Sequence, residues 1–169
     1  MGAHENRLTI RPAARSDVPL ILQFIRELAE YERLADTVVA TEDLLCDTLF
    51  GPRPAAEVLL AYSDGQPAAF AVYFFNFSTF LGRPGLYLED LYVKPEFRGK
   101  GFGKMLLLAL ARIAGKRGCG RMEWSVLDWN EPAIGFYRSL GAVPMEEWTI
   151  FRLTGEALEE AAQQGSVAE

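Results

Sequence analysis

Histidine is almost missing from this chain of 169 residues, occurring once, at His4. Because His4 falls in a terminus expected to fray, Ser-His-Asp relays, Cys-His pairs and histidine-rich metal centres are excluded together. Cysteine is scarce as well. Cys46 and Cys119 lie far apart and form no Cys-x-x-Cys, which indicates neither a disulfide framework nor a zinc site, and a reducing cytoplasm is the expected location. Positive charge is in deficit: 17 Lys and Arg stand against 23 Asp and Glu, a formal net charge of −6. Nucleic acid is thereby disfavoured as a partner, since phosphate backbones are bound by a basic face. The acidic surplus suits either a cationic small molecule or solubility alone. Long apolar runs are lacking too, and the stretches around residues 68–75 and 105–111 fall well short of a membrane span. Met1-Gly-Ala-His-Glu-Asn-Arg7 shows no signal peptide, and Asn6 stands where myristoylation of Gly2 would want Ser or Thr. No membrane contact is expected.

What is present is ample apolar material, 50% of the residues, enough for one core and too little for two. A single domain over residues 1–169 is expected, with its core in 8–153 and a tail in 154–169. Leu8 to Arg11 predicts a short strand stopped by Pro12, after which Ser16 is placed to cap a helix through Glu30, striped with Leu20, Ile21, Phe24, Ile25 and Leu28. A second helix is expected from Thr41 to the Gly51-Pro52-Arg53-Pro54 stop. Residues 57–62 and 68–76, joined at Asp64-Gly65, read as a hairpin. A loop over 78–85, a strand over 86–93, a helix from Gly103 to about Lys116, a strand over 122–127, a helix over 130–140 and a last strand over 145–153 complete the pattern, followed by a frayed helix. The order β-α-α-β-β-β-α-β-α-β defines an α/β chain (an α+β mixed sheet).

Strand passes into glycine-rich turn and then into helix at Leu86-Tyr-Leu-Glu-Asp-Leu-Tyr-Val-Lys-Pro-Glu-Phe-Arg-Gly-Lys-Gly-Phe-Gly-Lys104. Gly99, Gly101 and Gly103 leave backbone N–H groups uncovered, and the helix start adds its positive dipole end, so a diphosphate fits without a metal. Arg98, Lys100 and Lys104 bring positive charge, and Phe102 sits between the last two glycines. Neither common phosphate loop matches. Lys104 is followed by Met105 where the P-loop needs Ser or Thr, and the third glycine of the dinucleotide fingerprint is misplaced. The pattern Arg/Gln-x-x-Gly-x-Gly/Ala does match, through Arg98, Gly101 and Gly103. It resembles the pyrophosphate loop of the GNAT family, the Gcn5-related N-acetyltransferases, and the element order resembles their fold over Leu8 to about Leu153.

The resemblance implies acetyl-CoA as co-substrate, no metal, direct acetyl transfer to a primary amine, and a homodimer. A lysine-like amine is only about one part in a thousand neutral at pH 7, so collecting its proton costs roughly 4 kcal/mol and calls for a base; the leaving thiolate then calls for an acid. Glu89 and Asp90 sit in mid-strand, and alternation turns one of them toward a cleft or the core. A structural ion pair or a wet strand edge is the alternative for each. By resemblance Glu89 is the base and Asp90 a substrate contact. Tyr137 follows Asn130 by two helical turns and is either a packed core tyrosine or an acid. The family's Asn-x-x-Ala-x-x-x-Tyr, matched by Asn130, Ala133 and Tyr137, implies the acid at Tyr137 and a cofactor contact at Asn130. Leu91, Tyr92 and Val93 are implied to offer backbone groups to the pantetheine arm.

The diamine acetyltransferase branch, with its spermidine/spermine and thialysine members, is resembled most through Glu27-Leu-Ala-Glu-Tyr-Glu32, Tyr87-Leu-Glu-Asp90 and Leu127-Asp-Trp-Asn-Glu-Pro132. Tyr31 and Glu32 are thereby implied near a cationic tail; Glu32 is otherwise a solvated helix-end charge. Spermidine/spermine-type members place an acid and a Trp in the loop where this chain has Ser78-Thr79-Phe80-Leu81-Gly82, a loop closer to the thialysine branch. The expected substrate is a short diamine or a lysine-like ε-amine. A non-catalytic acyl-CoA sensor, which would not need Tyr137, and a peptide N-acetyltransferase are the rival functions.

Overall fold

The computed structural model describes residues 8–165, so His4 and the features expected of the first seven residues lie outside the described part. Two compact units are distinguished, Met1–Ser125 and Val126–Glu169. The first carries a five-stranded mixed sheet. Its strands are β1 (Leu8–Pro12), β2 (Glu57–Ser63), β3 (Gln66–Ser78), β4 (Arg83–Val93) and β5 (Arg121–Trp124), in that spatial order. Neighbours are antiparallel except β4 and β5, which run parallel. Helices α1 (Val18–Tyr31), α2 (Glu42–Phe50) and α3 (Phe102–Lys116) complete the unit.

Helix α1 packs on one face of the sheet because Ile21, Phe24 and Leu28 recur at helical spacing and meet Val58, Leu60, Phe70, Val72 and Tyr92. Phe24 is fully buried, stacked on Phe70 at 5.1 Å and edge-on to Tyr92 at 6.2 Å. Ser16 does not cap this helix. A 3-10 turn over Arg15–Asp17 comes first, and the Asp17 carboxylate accepts the Ala14 N–H at 2.7 Å while Arg11 holds it at 2.7 Å. Aspartate accepts both donors at once, which the Ser16 hydroxyl is not placed to do. Thr41 does cap α2, its hydroxyl accepting from the Leu44 N–H at 3.2 Å. The β2–β3 turn has positive φ at both Asp64 and Gly65, 48° and 81°, the twist a two-residue hairpin needs.

Two expectations change in this unit. The loop expected over 78–85 shrinks to residues 79–82, because Asn76, Phe77 and Ser78 pair with Gly85, Pro84 and Arg83 and extend both strands. Strict alternation along β4 also fails. Val72 pairs with Asp90 and Tyr73 with Leu88, which leaves Glu89 as the extra residue of a β-bulge. Cross-strand partners share a face, so Asp90 lies with Val72 and Tyr92 on the α1 side, whereas Leu88 follows Tyr73 to the other.

In the second unit α4 (Glu131–Ser139) is capped by Asn130, whose side-chain oxygen accepts from the Ala133 N–H at 3.4 Å. The last strand expected over 145–153 does not form. A turn interrupts it, the Trp148 N–H donating to the Met145 carbonyl at 3.2 Å, and the segment joins no ladder among the described residues. Its apolar side chains, Trp148, Ile150 and Phe151, are exposed. Strand propensity is largely a matter of fit against a neighbouring strand, and this segment has none. The tail forms α5 (Gly155–Gln164).

Candidate active site

Strand β4 arranges the first unit's chemistry. Its ladder with β5 covers only Gly85 to Leu88, so residues 89–93 pair with β3 alone, and the change falls at the bulge. Leu91, Tyr92 and Val93 therefore carry backbone on a side that β5 does not cover. The strand leads through a 3-10 turn at Pro95–Phe97 into the glycine loop.

Gly99 and Gly101 have φ of 72° and 86°, the left-handed region glycine enters freely, and a Cβ added at either would meet nothing within 4 Å. The loop surface is thus open. Gly101 is the N-cap of α3 and has no side chain to cap it, so the N–H groups of Phe102, Gly103 and Lys104 lack partners within the helix. Phe102 is buried and edge-on to Phe97, which anchors the turn. A Cβ at Gly103 would meet Leu91 and Val93 at 3.7 Å, an ordinary contact distance, so α3 begins close beside the strand. Three unpaired donors, a helix dipole and open space fit a diphosphate. Lys104 is exposed beside them, and Lys100 lies 5.4 Å from the Phe97 ring.

Arg98 makes contacts that the sequence did not suggest. Its Nε donates to the Val93 carbonyl at 2.9 Å, and its guanidinium lies 4.6 Å from the Tyr31 ring centre and 5.6 Å from that of Tyr92. It braces the loop against the end of α1 as well as bringing charge to the glycines.

Three carboxylates come together at that helix end. The Asp90 carboxyl is pushed up to about 6 by burial, and further by repulsion from Glu89 and Glu32. Glu32 is raised by burial too. Glu89 is exposed. Like charges held together and partly dried attract a cation from solution. Among the described residues no group of three or more His, Cys, Asp or Glu is close enough to hold a metal ion.

In the second unit Tyr137 is half-buried with its ring 5.3 Å from Phe136, and Asn130, almost fully buried, serves as the cap of α4. Cys119 follows α3 and Cys46 lies within α2, beside Arg15 at 2.9 Å. Neither belongs to the glycine loop or the carboxylate group. A cavity of about 600 Å³ lies elsewhere, between Leu49, Phe50, Tyr73, Phe75 and Arg117. Its polar groups satisfy one another: Glu57 accepts from Tyr73 at 2.9 Å and from Arg117 at 3.1 Å. Sequence reasoning missed the bulge and the Arg98 stack. Two successive acids inside an apolar strand hinted at the first; nothing local signalled the second.

A loop that fits a diphosphate, at the end of a strand that also carries clustered carboxylates, is an arrangement suited to group transfer onto a cation. Residues 22–142 match the "Acetyltransferase (GNAT) family", and the chain belongs to that family. It is an N-acetyltransferase, and GNAT acetyltransferases use acetyl-CoA as co-substrate. The chain is 42% identical over 164 residues to the thialysine N-epsilon-acetyltransferase of Bos taurus, covering 90% of this chain and 96% of that protein. It is 36% identical to the L-ornithine N5-acetyltransferase of Arabidopsis thaliana, with 89% and 86% covered. Among solved structures, an integron cassette protein from the mobile metagenome of V. cholerae superposes with a TM-score of 0.78 at 28% identity, over 92% of this chain and 98% of that one.

Proposed function

We propose that this chain acetylates a primary amine of a small cationic substrate, a short diamine or a lysine- or thialysine-like amine, by direct transfer. The observation that carries this is the convergence of Asp90, Glu89 and Glu32 beside a loop suited to a diphosphate. Relatives named for thialysine and ornithine acetylation support it, since both amines carry a side-chain ammonium.

Gly99, Lys100, Gly101, Phe102, Gly103 and Lys104 would hold the diphosphate of acetyl-CoA, with Arg98 bracing the loop. The backbone of Leu91, Tyr92 and Val93 would meet the pantetheine arm, and Asn130 is a further cofactor contact. Acetyl-CoA supplies an acetyl group activated as a thioester; no metal is required. Asp90 and Glu32 receive the distal ammonium, beside Tyr31. Glu89, exposed to water at the bulge, takes a proton from the attacking nitrogen directly or through one water. Tyr137 donates its phenolic proton for the departing thiol, an assignment supported by the spacing of Asn130, Ala133 and Tyr137.

Residues 1–169 act as one catalytic domain in the cytoplasm in this proposal, with no nucleic-acid or membrane partner. Among the described residues no helix is long and apolar enough to cross a membrane. A homodimer is proposed, its contact covering the exposed Trp148, Ile150 and Phe151, and sedimentation equilibrium tests it.

The decisive assay is thiol release from acetyl-CoA with putrescine, spermidine, spermine, lysine, thialysine and a basic peptide, run beside Tyr137→Phe. Turnover of a small diamine or lysine-like amine, lowered about a hundredfold or more in the variant, is expected. Tight acetyl-CoA binding without turnover of any amine would overturn the proposal.

A further inference from the structure

Arg98 touches both halves of the site described above. It opens the glycine loop, and its guanidinium lies over Tyr31, the last residue of α1, immediately before Glu32. The Nε bond to the Val93 carbonyl fixes the plane of that guanidinium against β4, and Tyr92, buried in the α1 core, closes its other approach at 5.6 Å. One turn earlier along α1, Glu27 pairs with Lys94 at 3.7 Å. This ion pair and this stack thus tie the end of α1 to the strand end and loop. The stack joins a loop residue to the residue preceding Glu32.

A planar guanidinium on an aromatic face fixes two chain segments against each other in a way that a flexible ammonium does not. Whatever orders the glycine loop therefore also orders Tyr31 and Glu32. Ordering entropy spent on the first ligand is not spent again on the second, and the two affinities rise together and by the same factor.

We propose that Tyr31 is a positioning residue whose stack with Arg98 couples diphosphate binding in the glycine loop to amine binding at Glu32 and Asp90. The proposal rests on the functional assignment above and adds a reciprocal linkage to it. The linkage needs no contact between the two ligands.

The test is calorimetric. Putrescine is titrated into the full chain with and without saturating CoA, which lacks the acetyl group and permits no turnover, and CoA is titrated with and without putrescine. CoA is expected to tighten the diamine about fivefold or more, with the same factor in the reverse titration. Tyr31→Phe, which keeps the aromatic face, should retain the factor; Tyr31→Leu should bring it to about one. Arg98→Lys, which keeps the charge but not the plane, should also abolish it, and unchanged circular dichroism guards against misfolding. A wild-type factor of one, with amine turnover intact, overturns the coupling and leaves the acetyltransferase assignment standing. A factor that persists in Tyr31→Leu overturns it as well. Absence of turnover on every amine removes the functional assignment, and the coupling with it.

Discussion

Replacing Asp90 by Asn should stabilise the ligand-free protein while damaging amine binding. Burial and the neighbouring carboxylates hold Asp90 at about 6 against an ordinary 3.8. The folded state therefore binds this proton more tightly than the unfolded chain, and the stability it confers is complete below about pH 3.8 and is lost as pH rises through about 6. Two pKa units and a little more correspond to about 3 kcal/mol, the cost of holding the ionised group in the folded protein at pH 7. Asn resembles the protonated carboxyl in size and cannot ionise. At pH 7.5 Asp90→Asn should raise the melting temperature by about 6–12 °C, at about 2–4 °C per kcal/mol for a chain of this size. At pH 4 the two melting curves should nearly coincide. Thermal denaturation across pH 4 to 8 measures this directly. A gain independent of pH, or a loss at pH 7.5, would refute the placement of Asp90 among burial and like charges. The same variant should raise the KM for a diamine, a trade of activity against stability.

Amine affinity in the wild type should fall as pH drops through about 6, because Asp90 must be ionised to attract a cation; a KM profile from pH 5 to 8 reads this, and a flat profile removes Asp90 from the substrate site. Glu89→Gln should lower kcat by about a hundredfold or more with CoA affinity kept, measured by thiol release and calorimetry, since the residue is exposed and its loss leaves the core untouched. Phe24→Ala should cost about 3–5 kcal/mol in denaturant unfolding, the void opening against Phe70 and Tyr92. Gly101→Ala should cost about 1–2 kcal/mol from its φ of 86° and weaken CoA binding, whereas Gly115→Ala, where an added Cβ meets open space, should not destabilise α3.

Much of this was legible along the chain because it depends on near neighbours. The stripe of α1, the Thr41 cap, the Asp64-Gly65 turn and the glycine loop opening α3 each follow from residues within a few positions of one another. The loop motif also pointed to the family that the relatives show. Contacts across tens of residues decided the rest. The bulge at Glu89 arises from register against β3, and it puts Asp90 on the α1 side while Leu88, two residues earlier, faces the other, a split that alternation along β4 would deny. Burial raises the Asp90 carboxyl most and Glu32, 58 positions away by sequence number, adds to it, while the Arg98 brace needs Tyr31 across a similar interval. At residues 145–153 the apolar pattern suggested a strand that the structure does not form, because a strand is completed by its partner and no local preference supplies one. Sequence by itself determined the helices, the hairpin turn and the glycine loop, whose physics is short-range; tertiary structure decided which acids share a face and what holds the loop to the helix, because burial and charge act through space.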